Sequence, residues 1–432
     1  MTSGIYQALS GLDGIARGMH TMDDVAYAVC GTKLYSINQT INPDLSVTWS
    51  SIEIGTIAGS ERVIMSSGKT GSSYEMVIVV PGVSTYHYDL ATDTLSTLDG
   101  VSNFLTPAID VCNVYGYFVF VQEGTNELFH SALRDAETYN ALATFTVTQA
   151  SSLQGVINFR DQLFVFAGDK LIPFNFIGGS NFVFQSQFNA VKPFGLRSLH
   201  AKSDIGSYLV FLGNRRNAEP CIYAYSGSEP QRISTEPIEE VLQNLTQTQL
   251  NDAWIETYSH GGADFVFIMV GDETFIYNLV TGRWHEQRSY INETSRRWRV
   301  NAVCQAYNVI LVGDFQSGLI GVLDTRTTTE YGVKIPRSFT LQPFDNKGKY
   351  IRVKGIMIFM DVGFGGSMTM EYSDDGGVTW PNNALVRDAG AIGEYGRTFR
   401  WDRLGTADAF RTLRFSTDTT AQCHVNKILA IA

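Results

Sequence analysis

Along most of the chain, apolar residues gather in short runs that pair across a glycine. Val29-Cys30-Gly31-Thr32-Lys33-Leu34-Tyr35 sets the pattern, and Phe166-Ala167-Gly168-Asp169-Lys170-Leu171-Ile172 and Met269-Val270-Gly271-Asp272-Glu273-Thr274-Phe275 repeat it. Looser copies run through Val80-Pro81-Gly82-Val83 and Val121-Gln122-Glu123-Gly124. Tyr208-Leu209-Val210-Phe211 and Val309-Ile310-Leu311-Val312 open two more. Each flank has strand composition, and each turn supplies a glycine for positive φ, so each copy predicts a β-hairpin. A second signature follows several hairpins: Tyr88-Asp89-Leu90-Ala91-Thr92-Asp93 resembles Tyr277-Asn278-Leu279-Val280-Thr281-Gly282, with a weaker third copy at Leu323-Asp324-Thr325. There an Asp or Asn can hold a tight turn by bonding its own backbone before an outer strand begins.

The modules start near residues 26, 75, 116, 160, 207, 264 and 308, a mean spacing of about 47 residues. That period fits four-stranded propeller blades, which run to ~40–50 residues each. The expected fold is all-β: a six- or seven-bladed β-propeller over residues 1–337, followed by a C-terminal β-sandwich over 338–432. Radial repetition also leaves no long open sheet edge. One helical insertion is expected near 237–252. Ile238, Val241, Leu242 and Leu245 form a helical stripe behind Pro237, and Thr246-Gln247-Thr248-Gln249 is fit to cap a second short helix. From about residue 338 the alternation changes character. Tyr350–Ile356, Ser367–Tyr372, Arg397–Trp401, Phe410–Phe415 and Val425–Leu429 each read as strands of the sandwich.

Charge separates the same two regions. Of a net −11 over 432 residues, positions 1–332 carry −14 and positions 333–432 carry +3. An acidic chain is poorly suited to clamp DNA, which requires a basic surface to displace counterions. Only 17% of residues are charged and 12% are aromatic, a balance that excludes disorder and suits strands buried between neighbours. Cys30, Cys112, Cys221, Cys304 and Cys423 are far apart, with no CxxC pair, and four of them sit in strand-like runs. They read as buried reduced thiols. The N-terminus has no basic region followed by an apolar core, so no signal peptide is expected. No apolar run approaches the ~20 residues of a membrane span.

The search for chemistry yields little. Phosphate-loop, dinucleotide, HExxH and GxSxG motifs are absent from the sequence, and the seven histidines are scattered without metal spacing. No catalytic, cofactor-binding or metal residue is assigned. His260 before Gly261-Gly262 reads as a solvated loop histidine, and His424 beside Cys423 has no convergent ligands. Arg296-Arg297-Trp298-Arg299 is the one basic cluster with an aromatic; it reads as a solvated or inter-subunit turn rather than a phosphate site. Ser373-Asp374-Asp375-Gly376-Gly377-Val378-Thr379-Trp380 matches the S-x-D-x-G-x-T-W Asp box, and is similar to the hairpin repeated on sialidase propellers. That resemblance implies a structural turn: Ser373 and Asp375 tie it, and Trp380 buries beneath it. Loss of such a tryptophan is expected to cost roughly 3–5 kcal/mol.

Several segments, taken in order, resemble the packaged DNA stabilization proteins of short-tailed bacteriophages, also called tail hub or nozzle proteins. They are 25–35, 59–70, 222–242, 373–380 and 401–405. Members of that family look to carry a further N-terminal segment of some tens of residues, and this chain begins where that segment would end. The resemblance implies a non-enzymatic virion protein, made in the host cytoplasm, six copies of which form a ring under the portal and head-to-tail adaptor. The ring would continue the DNA channel, hold tailspikes or fibres outside and a needle or plug at the tip, and let double-stranded DNA pass without specific binding. An acidic wall suits that task, because like charge prevents adhesion. Two readings from other classes remain: a glycan-binding or glycan-cleaving propeller, and a kelch-like interaction module that binds one partner as a monomer.

Overall fold

The computed structural model describes residues 4–431 apart from 217, 293, 346–348, 361, 364, 382–383, 408–409 and 418–424. The chain divides into two compact units. One comprises Gln7–Arg288 with Arg296–Val322, the other Met1–Tyr6, Ser289–Ser295 and Leu323–Ala432.

In the larger unit the predicted hairpins become antiparallel sheets that follow one another along the chain. The first sheet holds Ala16–Met22, Val25–Cys30, Lys33–Ile41 and Val47–Thr56, in that spatial order. The second runs from Ile64 to Thr97, the third from Ala108 to Thr146, the fourth from Leu153 to Ser186, and the fifth from Gly195 to Arg232. The sixth spans Trp254 to Glu286. A seventh sheet, whose outer part falls outside this unit, takes Val300–Ala306, Val309–Asp314, Ile320–Asp324, then Gly4–Leu9 from the other end of the chain, Thr329–Glu330 and Val333–Lys334. The innermost strand of each sheet lies against the innermost strand of the next, and the cycle closes where Val300–Ala306 meets Ala16–Met22. This closed cycle of radially arranged sheets is the topology of a β-propeller.

Apolar faces of consecutive sheets fill the spaces between them. Val77, Val79, Phe118, Phe120 and Phe129 join the second and third sheets, with Phe104 packed edge-on to three rings there. Phe164, Phe166, Phe211 and Tyr223 join the fourth and fifth. Trp254, Phe267 and the buried Trp298 stack edge to face between the sixth and seventh. The seventh and first are sealed mostly by small side chains, Ala16, Ala26, Ala28, Ala302 and Cys304. Small residues permit close approach here: a methyl on Gly313, in the second strand of the seventh sheet, would stand 2.3 Å from Ala16 Cβ on the inner strand of the first.

The turn chemistry expected from the sequence is present. Asp89 Oδ1 accepts from Ala91 N at 2.9 Å, Asn278 Oδ1 from Val280 N at 2.9 Å, and Asp324 Oδ1 from Arg326 N at 3.0 Å. The helical insertion is α1, Glu236–Asn244, and α2, Gln247–Asn251. Thr246 and Gln249 cap α2 reciprocally, while Ile238, Leu242 and Leu250 enter the core between the fifth and sixth sheets. Cys30, Cys112, Cys221 and Cys304 are buried free thiols, and Cys423 lies outside the described residues.

In the smaller unit, one sheet orders Arg337–Thr340, Phe410–Thr417, Ser367–Ser373 and Leu385–Asp388; another orders Phe399–Asp402, Gly355–Met360 and Val425–Ile431. Ile356, Ile358, Met370, Trp401, Leu413 and Phe415 from both sheets share one core. The single strand expected at 350–356 is broken. Ile351–Arg352 pairs with Thr406–Ala407, and the chain then crosses at Val353-Lys354 to begin Gly355–Met360 beside Phe399–Asp402. The crossing is held by Val353 N donating to Gly405 O and Arg403 N to Lys354 O.

Candidate functional site

The side chains that converge most closely lie around the axis of the inner-strand cycle, where each strand is tied to the next through a side chain. His20 Nε2 meets Ser67 Oγ at 2.9 Å, and Ser66 Oγ accepts from Asn113 N at 3.0 Å. Asn158 Nδ2 donates to Asn113 O at 2.8 Å, and Gln154 Oε1 accepts from Leu196 N at 3.3 Å. Ser203 and Thr257 share a bond of 3.1 Å, Gln305 Nε2 donates to Ser259 O at 2.8 Å, and Thr21 Oγ1 donates to Gln305 O at 2.8 Å. Together with backbone bonds such as Val63 N to Arg17 O and Ile255 N to His200 O, these side-chain bonds tie each sheet to the next.

Two charged pairs span the axis. Lys202 Nζ stands 2.8 Å from Asp110 Oδ2, with both side chains buried. Asp110 also accepts from Val156 N at 2.7 Å. Burial pushes the Asp110 carboxyl above its ordinary range, against the pull of Lys202 and two backbone amides. The fourth sheet passes so close that a methyl on Gly155 would lie 2.7 Å from Asp110 Oδ2 and 3.1 Å from Lys202 Nζ; only glycine fits there. The second pair joins Arg62 to Glu256. The Arg62 guanidinium lies 4.1 Å from the Trp254 ring and also donates to Asn301 O. Burial, with Arg297 nearby, lowers its pKa to about 9. His200 is held well below its usual range by burial, with the cations Arg62 and Lys202 adding to the effect. Arg17, also buried, donates to the carbonyls of Glu61, Gly31 and Ala58 at 2.7, 2.9 and 2.9 Å. Every charge here is consumed in holding sheets together.

A third buried pair sits between the second and third sheets. His87 lies 3.2 Å from Glu75 Oε2 and 3.2 Å from Glu137 Oε1. Burial opposes its charge, but the two carboxylates outweigh burial and raise its pKa. His20, His130 and His200 are shifted downward, chiefly by burial, His20 to about 4. The signs oppose. His87 adds stability that is fully present below pH ~6.5 and fades as pH rises through its raised pKa. The other three favour the native state above pH ~6.5 and withdraw that support as pH falls. Three against one gives a net loss of stability on acidification from about pH 7.5 to 5. Urea melts across that range check it, and a midpoint that rises on acidification contradicts the balance.

The cluster singled out at 296–299 is dismantled by the fold. Arg299 forks onto Asp314 at 3.0 and 2.8 Å, Arg297 covers the Phe315 ring at 3.8 Å, and Arg296 stands 3.6 Å from Asp272. These contacts leave no phosphate cradle. His260 ends a strand half-buried rather than in an open loop, and His424 lies outside the described residues. The Asp box is a tied turn: Ser373 Oγ donates to Asp375 Oδ1 at 2.6 Å, and Asp375 accepts from Thr379 N at 2.9 Å. Its hydroxyl and amide donors hold the Asp375 carboxyl below its ordinary range. Trp380 corrects the expectation, being half-buried rather than enclosed, with Arg414 4.1 Å above its ring. The deeply buried tryptophan of this unit is Trp401, whose neighbours Phe399 and Phe415 fill the space between the two sheets.

A cleft of about 560 Å³ opens beside the fifth sheet between Arg215, Cys221, Glu229, Arg232 and Gln243. Arg232 pairs with Glu239 and Glu229 with Lys192, at 2.5 Å each, and burial raises the Cys221 thiol above its ordinary range, away from the reactive thiolate. Among the described residues no three His, Cys, Asp or Glu side chains group as metal ligands, and no helix is long and apolar enough to cross a membrane.

Residues 1–328 match the family described as bacteriophage P22 Gp10, β-propeller. The chain belongs to that family. Within it, the tail hub protein gp10 of Salmonella phage P22 is 21% identical over 336 residues, covering 74% of this chain and 67% of that protein. Among solved structures, the extracellular domain of the one-component system BT4673 from B. thetaiotaomicron is 12% identical, with a TM-score of 0.48. This chain is covered over 89% of its length there but spans only 47% of that one. The computationally designed Ika8 protein is 10% identical with a TM-score of 0.40, covering 74% of this chain and 99% of that one. The family match ends near the last strand of the seventh sheet, so it coincides with the repeating sheets and leaves the region after 328 to its own reading.

The axial pairs escaped sequence reasoning. Asp110 and Lys202 lie two sheets apart along the chain and Arg62 and Glu256 four, and neither partner sits in a local motif. Only Asp110 carried a local signal, a charge inside the mostly apolar strand Ala108–Val114.

Proposed function

We propose that the chain is a structural tail-hub protein of a short-tailed phage virion, and that it catalyses no turnover. The observation that carries this is the family match over residues 1–328, with the tail hub protein of phage P22 among its relatives. In this reading the repeats form a seven-bladed propeller ending near residue 337, and a β-sandwich occupies 338–432. Six copies assemble head to tail beneath the portal and adaptor. The axis of one propeller is crossed by the side chains of Lys202, Asp110, Arg62 and Glu256, so the DNA channel runs between copies, not through one. The −14 of residues 1–332 favours a wall that DNA slides past, because each phosphate neutralised would add retention. Unlike faces on one chain suit the heterologous contact that a closed ring requires. Tailspikes or fibres and a needle or plug attach to the outside and tip, and the protein is made in the host cytoplasm.

Cryo-electron microscopy of the virion tests this directly. The protein is expected as a ring in the tail below the portal. Its absence from purified virions, or a purified ring that grips duplex DNA at physiological salt, overturns the reading.

A further inference from the structure

The outer hairpin of the first sheet outgrows its sheet. Val25–Cys30 pairs with Lys33–Ile41 only as far as Ile37, whereas Lys33–Ile41 and Val47–Thr56 stay paired out to Ile41 opposite Val47. The last four pairs form a bare two-stranded arm, a structure with little stability in water by itself. Its base is anchored by Trp49, whose ring lies 5.9 Å from Tyr307, and by Tyr307 Oη donating to Ile37 O at 2.8 Å. Further out, Val47 and Ile41 occupy the same face as Trp49 and are exposed. At the tip stands Leu45, 82% exposed and at φ 65°. A leucine gains nothing from left-handed backbone, and an apolar side chain gains nothing from water. Beside it, Asp44 accepts from Ser46 and pairs with no cation among the described residues.

The turns of the third and fourth sheets carry an apolar patch. Tyr115, 53% exposed at φ 53°, packs on Phe176 with ring centres 4.9 Å apart. Ile177, 58% exposed, follows Phe176, and Leu133 reaches Gly116 next to Tyr115. Arg134 stands at the rim, exposed, at φ 57° and with no carboxylate partner among the described residues. Around the cycle of inner strands the second sheet stands between the sheet that carries the arm and those that carry the patch.

We propose that the arm tip of one copy docks on the Tyr115–Leu133–Phe176–Ile177 patch of a second copy, with Asp44 facing Arg134. The occupant is assigned by charge complementarity and by the exposed apolar surface that both parts carry. The patch offers one uncompensated cation in a strongly acidic region, and the arm offers an apolar tip flanked by one uncompensated carboxylate. The two surfaces are unlike, so the contact is heterologous and builds rings or filaments rather than a two-fold dimer. The proposal rests on the tail-hub reading only in requiring self-association.

The test uses full chains carrying Leu45→Cys or Ile177→Cys and a short bis-maleimide, with the unaltered chain as control for native thiols. Each variant alone is expected to stay monomeric, their mixture to give a dimer, and the double variant to give a ladder. Arg134→Asp is expected to reduce dimer yield about fivefold, and pairing it with Asp44→Arg on the other chain to restore it. A mixture that yields no dimer at the highest soluble concentration overturns the contact. So does dimer formation by either variant alone, or a yield indifferent to the charge swap. None of these outcomes bears on whether the protein is found in the tail, which virion imaging decides separately.

Discussion

Replacing Glu256 with alanine is expected to destabilise the larger unit by about 3–5 kcal/mol, the range for stranding one partner of a buried ion pair. Three cations share this part of the axis: Arg62, Lys202 and, by its effect on Arg62, Arg297. Glu256 and Asp110 are the carboxylates that pair with the first two. Without Glu256 the Arg62 guanidinium keeps its carbonyl contact with Asn301 and its place on Trp254, but its charge has no ion-pair partner among the described residues. Glu256 also accepts from Val303 N at 2.7 Å, so the substitution orphans a backbone donor between the sixth and seventh sheets. Replacing both partners, Arg62→Met with Glu256→Leu, is expected to cost less than either single change, because no desolvated charge remains. Urea denaturation of the three variants measures this. A Glu256→Ala midpoint within error of the parent makes the pair a bystander.

The repeat was legible because a hairpin is a local object. Alternation with period two, a glycine at the turn and an Asx residue at the next turn all lie within about fifteen residues, as at Phe166–Ile172 or Tyr88–Asp93. The capping box of Thr246 and Gln249 was readable for the same reason. What stayed hidden is non-local. Nothing near Gly4–Leu9 announces that it joins the seventh sheet, and nothing near Asp110 announces Lys202. The cluster at 296–299 shows the converse. Its composition suggests an exposed basic turn, yet Trp298 is buried and Arg299 is spent on Asp314, because the sixth and seventh sheets close over them. The arm at Ile41–Val47 reads in sequence as an ordinary hairpin; its exposure depends on where the neighbouring strand stops.

The two tryptophans of the smaller unit show how far burial, rather than motif, sets the size of an effect. Trp401→Ala is expected to cost about 3–5 kcal/mol. Trp401 is fully buried, shares the core with Phe399, Leu413 and Phe415, and donates from Nε1 to Leu385 O at 2.8 Å. Removing it opens a cavity between two sheets and leaves a carbonyl of the neighbouring strand without that donor. Trp380→Ala removes a half-buried ring and its stacking with Arg414, a loss of about 1 kcal/mol. The Asp-box turn should survive it, because Ser373, Asp375 and Thr379 tie that turn without the indole. Thermal melts followed by near-ultraviolet circular dichroism separate the two variants. Trp401→Ala should lose tertiary signal from the smaller unit well before the parent does, and Trp380→Ala should follow the parent within a few degrees. Equal losses from both variants would mean that the Asp-box tryptophan, and not the inter-sheet one, holds this unit together.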